Sequence, residues 1–99
     1  MPWGYRAMFV LLHTYRVRNG CRTLREMISR YAPPTENHTE NYIRAVATQA
    51  QVSPDEALDT RNGNTMIPIV AAMSRVENGT PAQMDEVRAG WDLFVKYPV

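Results

Sequence analysis

Apolar residues recur along this chain at the three- and four-residue spacing of a helix, in five stretches broken by proline, glycine and asparagine. Gly4, Ala7, Met8, Leu11, Leu12 and Tyr15 predict a first helix from about Trp3 to Asn19 with that stripe inward. Trp3, Val10 and Val17 widen the stripe, and Asn19-Gly20 supplies a left-handed stop. The opposite side carries Arg6, Phe9, His13 and Arg16. An aromatic among cations is either a contact for a partner or a ring that sits under another element, and the sequence leaves both open.

The next elements are marked by their caps. Thr23-Leu24-Arg25-Glu26 has the form of a capping box, with Leu24, Met27, Ile28 and Tyr31 as the inward stripe of a second helix. Pro33 and Pro34 lack donors and push the preceding residue out of the helical region, so that helix ends near Tyr31. Asn37 then offers an N-cap oxygen and Glu40 sits three residues on, predicting a third helix from about His38 to Gln51. Glu36 and Glu40 also place negative charge at its positive end. Tyr42, Ile43, Val46, Ala47 and Ala50 face inward. Ser53-Pro54-Asp55-Glu56 predicts one short turn of helix, and Asp59 to Asn64 a turn whose flanks do not alternate as a hairpin needs.

A fourth helix is expected over about Thr65 to Asn78, with Pro68 in its first turn and Met66, Ile69, Val70, Met73 and Val76 inward. Thr80-Pro81-Ala82-Gln83 reads as the start of a fifth, with Met84, Val87, Trp91, Phe94 and Val95 on one stripe and Asp92–Lys96 paired outside. The whole predicts an all-α fold: one domain over residues 1–99, a compact bundle of about five short amphipathic helices.

Composition changes that picture little. A 44% apolar content suffices for one modest core. The formal net charge of +1 hides an asymmetry: residues 1–30 carry six arginines and one acid, net +5, and the remainder five basic and nine acidic side chains, net −4. With the arginines scattered rather than in runs, the halves are expected to complement each other, and a nucleic-acid partner is not expected. Cys21 is alone and His13 and His38 have no zinc spacing, so no metal site and no cofactor are expected. The apolar run Ala7–Leu12 is too short for a signal peptide or a membrane span, which predicts a chain made in the cytoplasm without membrane insertion.

Two carboxylates are candidates for chemistry. Glu77 extends the stripe Met66, Val70, Met73 and sits at the negative end of the fourth helix; partial burial and the dipole would both raise its pKa, as a general acid requires. Its plainer alternative is an ion pair with Arg75 or an arginine of the basic third. Glu36, a loop carboxylate beside His38, is the second, since glycoside hydrolysis uses two carboxyl groups about the scissile bond. The same loop offers Pro33, Pro34, Asn37, His38 and Tyr42 as a binding surface.

Arg75-Val76-Glu77-Asn78-Gly79 resembles the end of the catalytic helix in lytic transglycosylases and goose-type lysozymes, where a glutamate protonates the glycosidic oxygen. More broadly, Gly4-Tyr5-Arg6-Ala7, Tyr15, Gly20, Thr23-Leu24, Ile28, Arg30-Tyr31-Ala32-Pro33-Pro34, Glu36-Asn37, Thr39, Tyr42-Ile43, Val46 and Glu77-Asn78-Gly79 resemble a family of small phage and prophage structural, or virion, proteins. The Ala-Pro-Pro-x-Glu-Asn-x-Thr core is the specific part of that match. Longer members carry an added amino-terminal segment with Asn-Pro-Gly-Asn-Ile-Arg, also met in peptidoglycan-cleaving proteins. The resemblance implies a lysozyme-like, peptidoglycan-associated domain with Glu77 as acid, made in the host cytoplasm and carried in the virion or released at lysis. The alternative is a non-enzymatic virion component or a small inhibitor of a host protein, with Arg6, Phe9, His13 and Arg16 as its contact.

Overall fold

The computed structural model describes residues 2–33 and 38–98. Five helices follow one another: α1 (Pro2–Arg18), α2 (Leu24–Tyr31), α3 (Thr39–Ala50), α4 (Gly63–Asn78) and α5 (Met84–Lys96). Among the described residues the extended pairing is limited to one isolated bridge, Thr23 to Ala57. Two interfaces dominate, α1 on α5 and α3 on α4, and α2 closes against α3. Between them lies one core, with Phe9, Leu12, Leu24, Met27, Ile28, Ile43, Val46, Met66, Ile69, Val70, Met73 and Val87 fully enclosed.

The caps explain most boundaries. Thr23 accepts from the Glu26 amide while the Glu26 carboxylate takes the Thr23 amide, the reciprocal box expected at the start of α2. Ala32 ends α2 just before Pro33. Gly79, at φ 74°, closes α4 in the left-handed conformation that glycine adopts without steric cost.

Three expectations change. The first concerns which side of α1 faces in. Phe9 is 1% exposed and Leu12 is sealed, whereas Trp3 (55%) and Val17 (62%), expected inward, lie open, and Gly4 and Ala7 are exposed too. Apolar residues occur on every side of this helix, so periodicity alone does not select a face. The partner selects it: α5 presents Trp91 and Phe94, and Phe9 packs edge-on to Trp91 at 5.0 Å and against Phe94 at 6.2 Å. The second concerns α4, which begins at Gly63 rather than Thr65, because Asn62 caps it by accepting from the Asn64 amide at 3.0 Å. Pro68 therefore falls in the second turn, where its missing donor leaves the Asn64 carbonyl without a helical partner. Val76, expected inward, is exposed.

Third, α5 starts at Met84 with Gln83 as N-cap, not at Thr80-Pro81, and Met84 and Val95 lie on the surface. Glu40, whose expected reach back to the Asn37 amide falls outside the described residues, serves another contact. Its two oxygens each accept from Arg25 Nη1 at 2.8 Å, while Arg25 Nε donates to Asp55 at 2.8 Å. One guanidinium thus ties the start of α2, the start of α3 and the 53–56 turn. The proposed cap Asn37, with Pro34 and Glu36, lies outside the described residues.

Candidate functional site

The end of α4 and the start of α1 lie side by side and leave a groove of about 310 Å³ between them. Its floor is Met8 and Val70. Gly4 and Tyr5 form one wall, and Ser74, Glu77 and Asn78 the other. Ser74, Glu77 and Asn78 share a face of α4 because they stand three and four residues apart. Gly4 carries no side chain at the lip. Tyr5 Oη and Ser74 Oγ are 3.2 Å apart, and Asn78 Nδ2 donates to Ser74 Oγ at 3.3 Å, so the polar edge is a connected strip.

Glu77 stands at the mouth of this groove. It is exposed, so the partial burial expected from its place on the stripe is absent. Neither is it in the arginine ion pair weighed as its alternative: Tyr42 Oη donates to Glu77 Oε1 at 2.9 Å. Tyr42 is half-buried, and burial together with that hydrogen bond pushes its hydroxyl well above its usual range, so it stays a donor at any physiological pH. Tyr31 packs edge-on to Tyr42 at 6.3 Å, and its hydroxyl is raised first by burial and then by the Glu77 charge. Arg30 extends the aromatic row, with its guanidinium 5.7 Å from the Tyr15 ring.

The arrangement offers a fixed carboxylate, an amide, hydroxyls and an apolar floor within one cleft, a set that suits a polar, ring-shaped ligand. Of the loop residues read as binding candidates, Tyr42 joins this site. Pro33 is half-buried and His38 is exposed at the N-cap position of α3. Pro34, Asn37 and the second carboxylate, Glu36, lie outside the described residues.

The four residues read together on α1 do not form one open surface. Phe9 is covered by α5. Arg6 stands over Trp3 at 5.6 Å and donates to the Tyr97 carbonyl, at the far end of the α1–α5 interface. His13 Nδ1 bonds Thr60 Oγ1 at 2.7 Å and its ring meets Phe94 edge-on at 5.7 Å. Burial, then the neighbouring Arg61 charge, lower the His13 pKa, with Asp59 opposing. Arg16 donates from Nε to the Leu58 carbonyl at 3.4 Å.

Sequence reasoning missed Tyr5, Met8 and Ser74 as site residues. Ser74 carried a findable signal, being one turn before Glu77 and Asn78. Tyr5 and Met8 carried none, because only the docking of α1 against α4 brings them there. Among the described residues, no cluster of His, Cys, Asp or Glu has the makings of a metal site, and no helix is long and apolar enough to cross a membrane.

No family model matches the chain. Protein P5 of Pseudoalteromonas phage PM2 is 37% identical to it over 90 residues, which cover 90% of this chain and 54% of P5. The chain is thus similar in sequence to a phage protein and spans about half the length of that relative.

Proposed function

We propose that this chain is a peptidoglycan-directed, lysozyme-like domain of a phage protein, with the α1–α4 groove as its glycan cleft and Glu77 as the acid. The observation that carries the reading is the position of Glu77: an accessible carboxyl at a helix end, oriented by Tyr42, at the mouth of a cleft with hydroxyl and amide donors. Cleavage of a glycosidic bond needs a carboxyl group that can reach the bridging oxygen, and commonly a second one across the sugar. Glu36, two residues beyond the Pro33-Pro34 stop, is the candidate for that second group. The similarity to a phage protein supports the phage part of this reading, and the helix-end Glu-Asn-Gly pattern supports its lysozyme-like part.

Clearing of purified peptidoglycan, followed by turbidity, tests it. The wild-type chain is expected to clear the suspension, and Glu77→Gln to slow clearing by about a hundredfold or more while still sedimenting with the polymer. Clearing at equal rates would remove Glu77 from the chemistry, and failure of the wild type to sediment would remove the glycan.

A second reading, a non-enzymatic virion component, is favoured by a separate observation. Trp3 and Tyr97 are exposed where the start of α1 meets the end of α5, and their rings stack at 6.1 Å. Large exposed apolar side chains gathered in one place suit a protein contact. This reading predicts no clearing and no sedimentation with peptidoglycan.

A further inference from the structure

A second groove, of about 480 Å³, lies between α1 and the loop that leads into α4, and it shares no lining residue with the Glu77 groove. His13 and Arg16 line it from α1; Leu58, Asp59, Thr60 and Arg61 line it from the loop. The loop is held in place by bonds that leave the Arg61 guanidinium unused. Leu58 donates its amide to the Arg22 carbonyl at 2.8 Å, and His13 bonds the Thr60 hydroxyl. Asp59 accepts from the Arg61 amide at 2.9 Å, which commits one of its oxygens to shaping the turn. Arg16 uses only Nε, and its terminal nitrogens, like the whole Arg61 guanidinium, have no hydrogen-bond partner among the described residues.

Two guanidiniums from different elements therefore border one hollow, against a single carboxylate. Each presents a planar fork of donors that matches the oxygens of a phosphate, and their placement on opposite walls suits a tetrahedral anion better than a flat carboxylate. The lining contains no Phe, Tyr or Trp on which a nucleobase could stack, so the site does not fit single-stranded nucleic acid. We infer that this groove binds a small phosphate monoester, with Arg16 and Arg61 as its two ligands. The inference does not depend on the glycan reading of the other groove.

Titration with glycerol phosphate, read in proton–nitrogen NMR spectra, tests it. Expected are saturable shifts confined to the amides from Leu58 to Asn62, with about tenfold weaker binding in Arg61→Gln and no change in Arg88→Gln, an exposed arginine on α5. Arg61 is exposed, so its variant should keep the native spectrum; Arg16→Gln gives a second measure of the same loss. Equal titration by wild type and Arg61→Gln would overturn the inference. So would shifts spread over all the arginines, acetate binding as tightly as glycerol phosphate, or tighter binding of an oligothymidylate.

Discussion

At the scale of single residues, His13 and Glu77 show how tertiary neighbours decide what an ionisable side chain does. His13 sits between Thr60, Phe94 and the Arg61 charge, and burial and that charge hold its pKa below the ordinary value of about 6.5. The sign follows from the protons bound by each state. As pH falls below about 6.5 the unfolded imidazole takes up a proton that the folded one refuses, so the unfolded state is favoured. Stability is therefore expected to fall between pH 7.5 and 5.5, above the range where carboxylates titrate. His13→Gln should flatten that slope, as read from urea midpoints at the two pH values; an unchanged slope would assign the dependence elsewhere. Glu77 makes the complementary point. Its position on a helix end was legible, but its partner, Tyr42, stands 35 residues away in the chain.

At the scale of elements, the α1–α5 contact turns on a glycine. A Cβ at Gly90 would lie 2.6 Å from Tyr5 Cβ, 2.8 Å from the Pro2 carbonyl oxygen and 2.9 Å from the Arg6 amide nitrogen. Two of those atoms are backbone, so the helices must part to admit it. Alanine ordinarily favours a helix over glycine by about 1 kcal/mol. At Gly90 the overpacking should reverse the sign and cost about 1–3 kcal/mol. At Gly4, where nothing lies within 4 Å, Gly→Ala should be stabilising by a few tenths to about 1 kcal/mol. Opposite shifts of the two denaturation midpoints check this; two stabilising shifts would mean the helices do not approach so closely. The capping box of α2 needed no such context, because Thr23 and Glu26 are three residues apart and complete it by themselves.

At the scale of the molecule, 99 residues fold to a radius of gyration of 12.3 Å around one core. Phe9 joins α1 to the aromatic face of α5, so its loss reaches every helix through that core. Phe9→Ala is expected to cost about 3–5 kcal/mol, a large share of the roughly 5–15 kcal/mol typical of a domain. Thermal unfolding followed by circular dichroism measures it. A loss below about 1 kcal/mol would return the inward face of α1 to Met8 and Leu11. The charge asymmetry of the chain is met partly within the molecule: Arg25, from the basic third, pairs with Glu40 and Asp55 from the acidic remainder.

Helix number, the capping box, the left-handed stop at Gly79 and the inward stripes of α2, α3 and most of α4 follow from the amino acids themselves. Each depends on groups within four residues of one another, where backbone geometry fixes what can meet. The face that α1 turns inward, the partner of Glu77 and the meeting of Arg16 and Arg61 at one groove were decided only when distant segments docked. These depend on contacts between distant segments, and a chain with apolar side chains on several sides of a helix leaves that choice to whichever neighbour fills the space best.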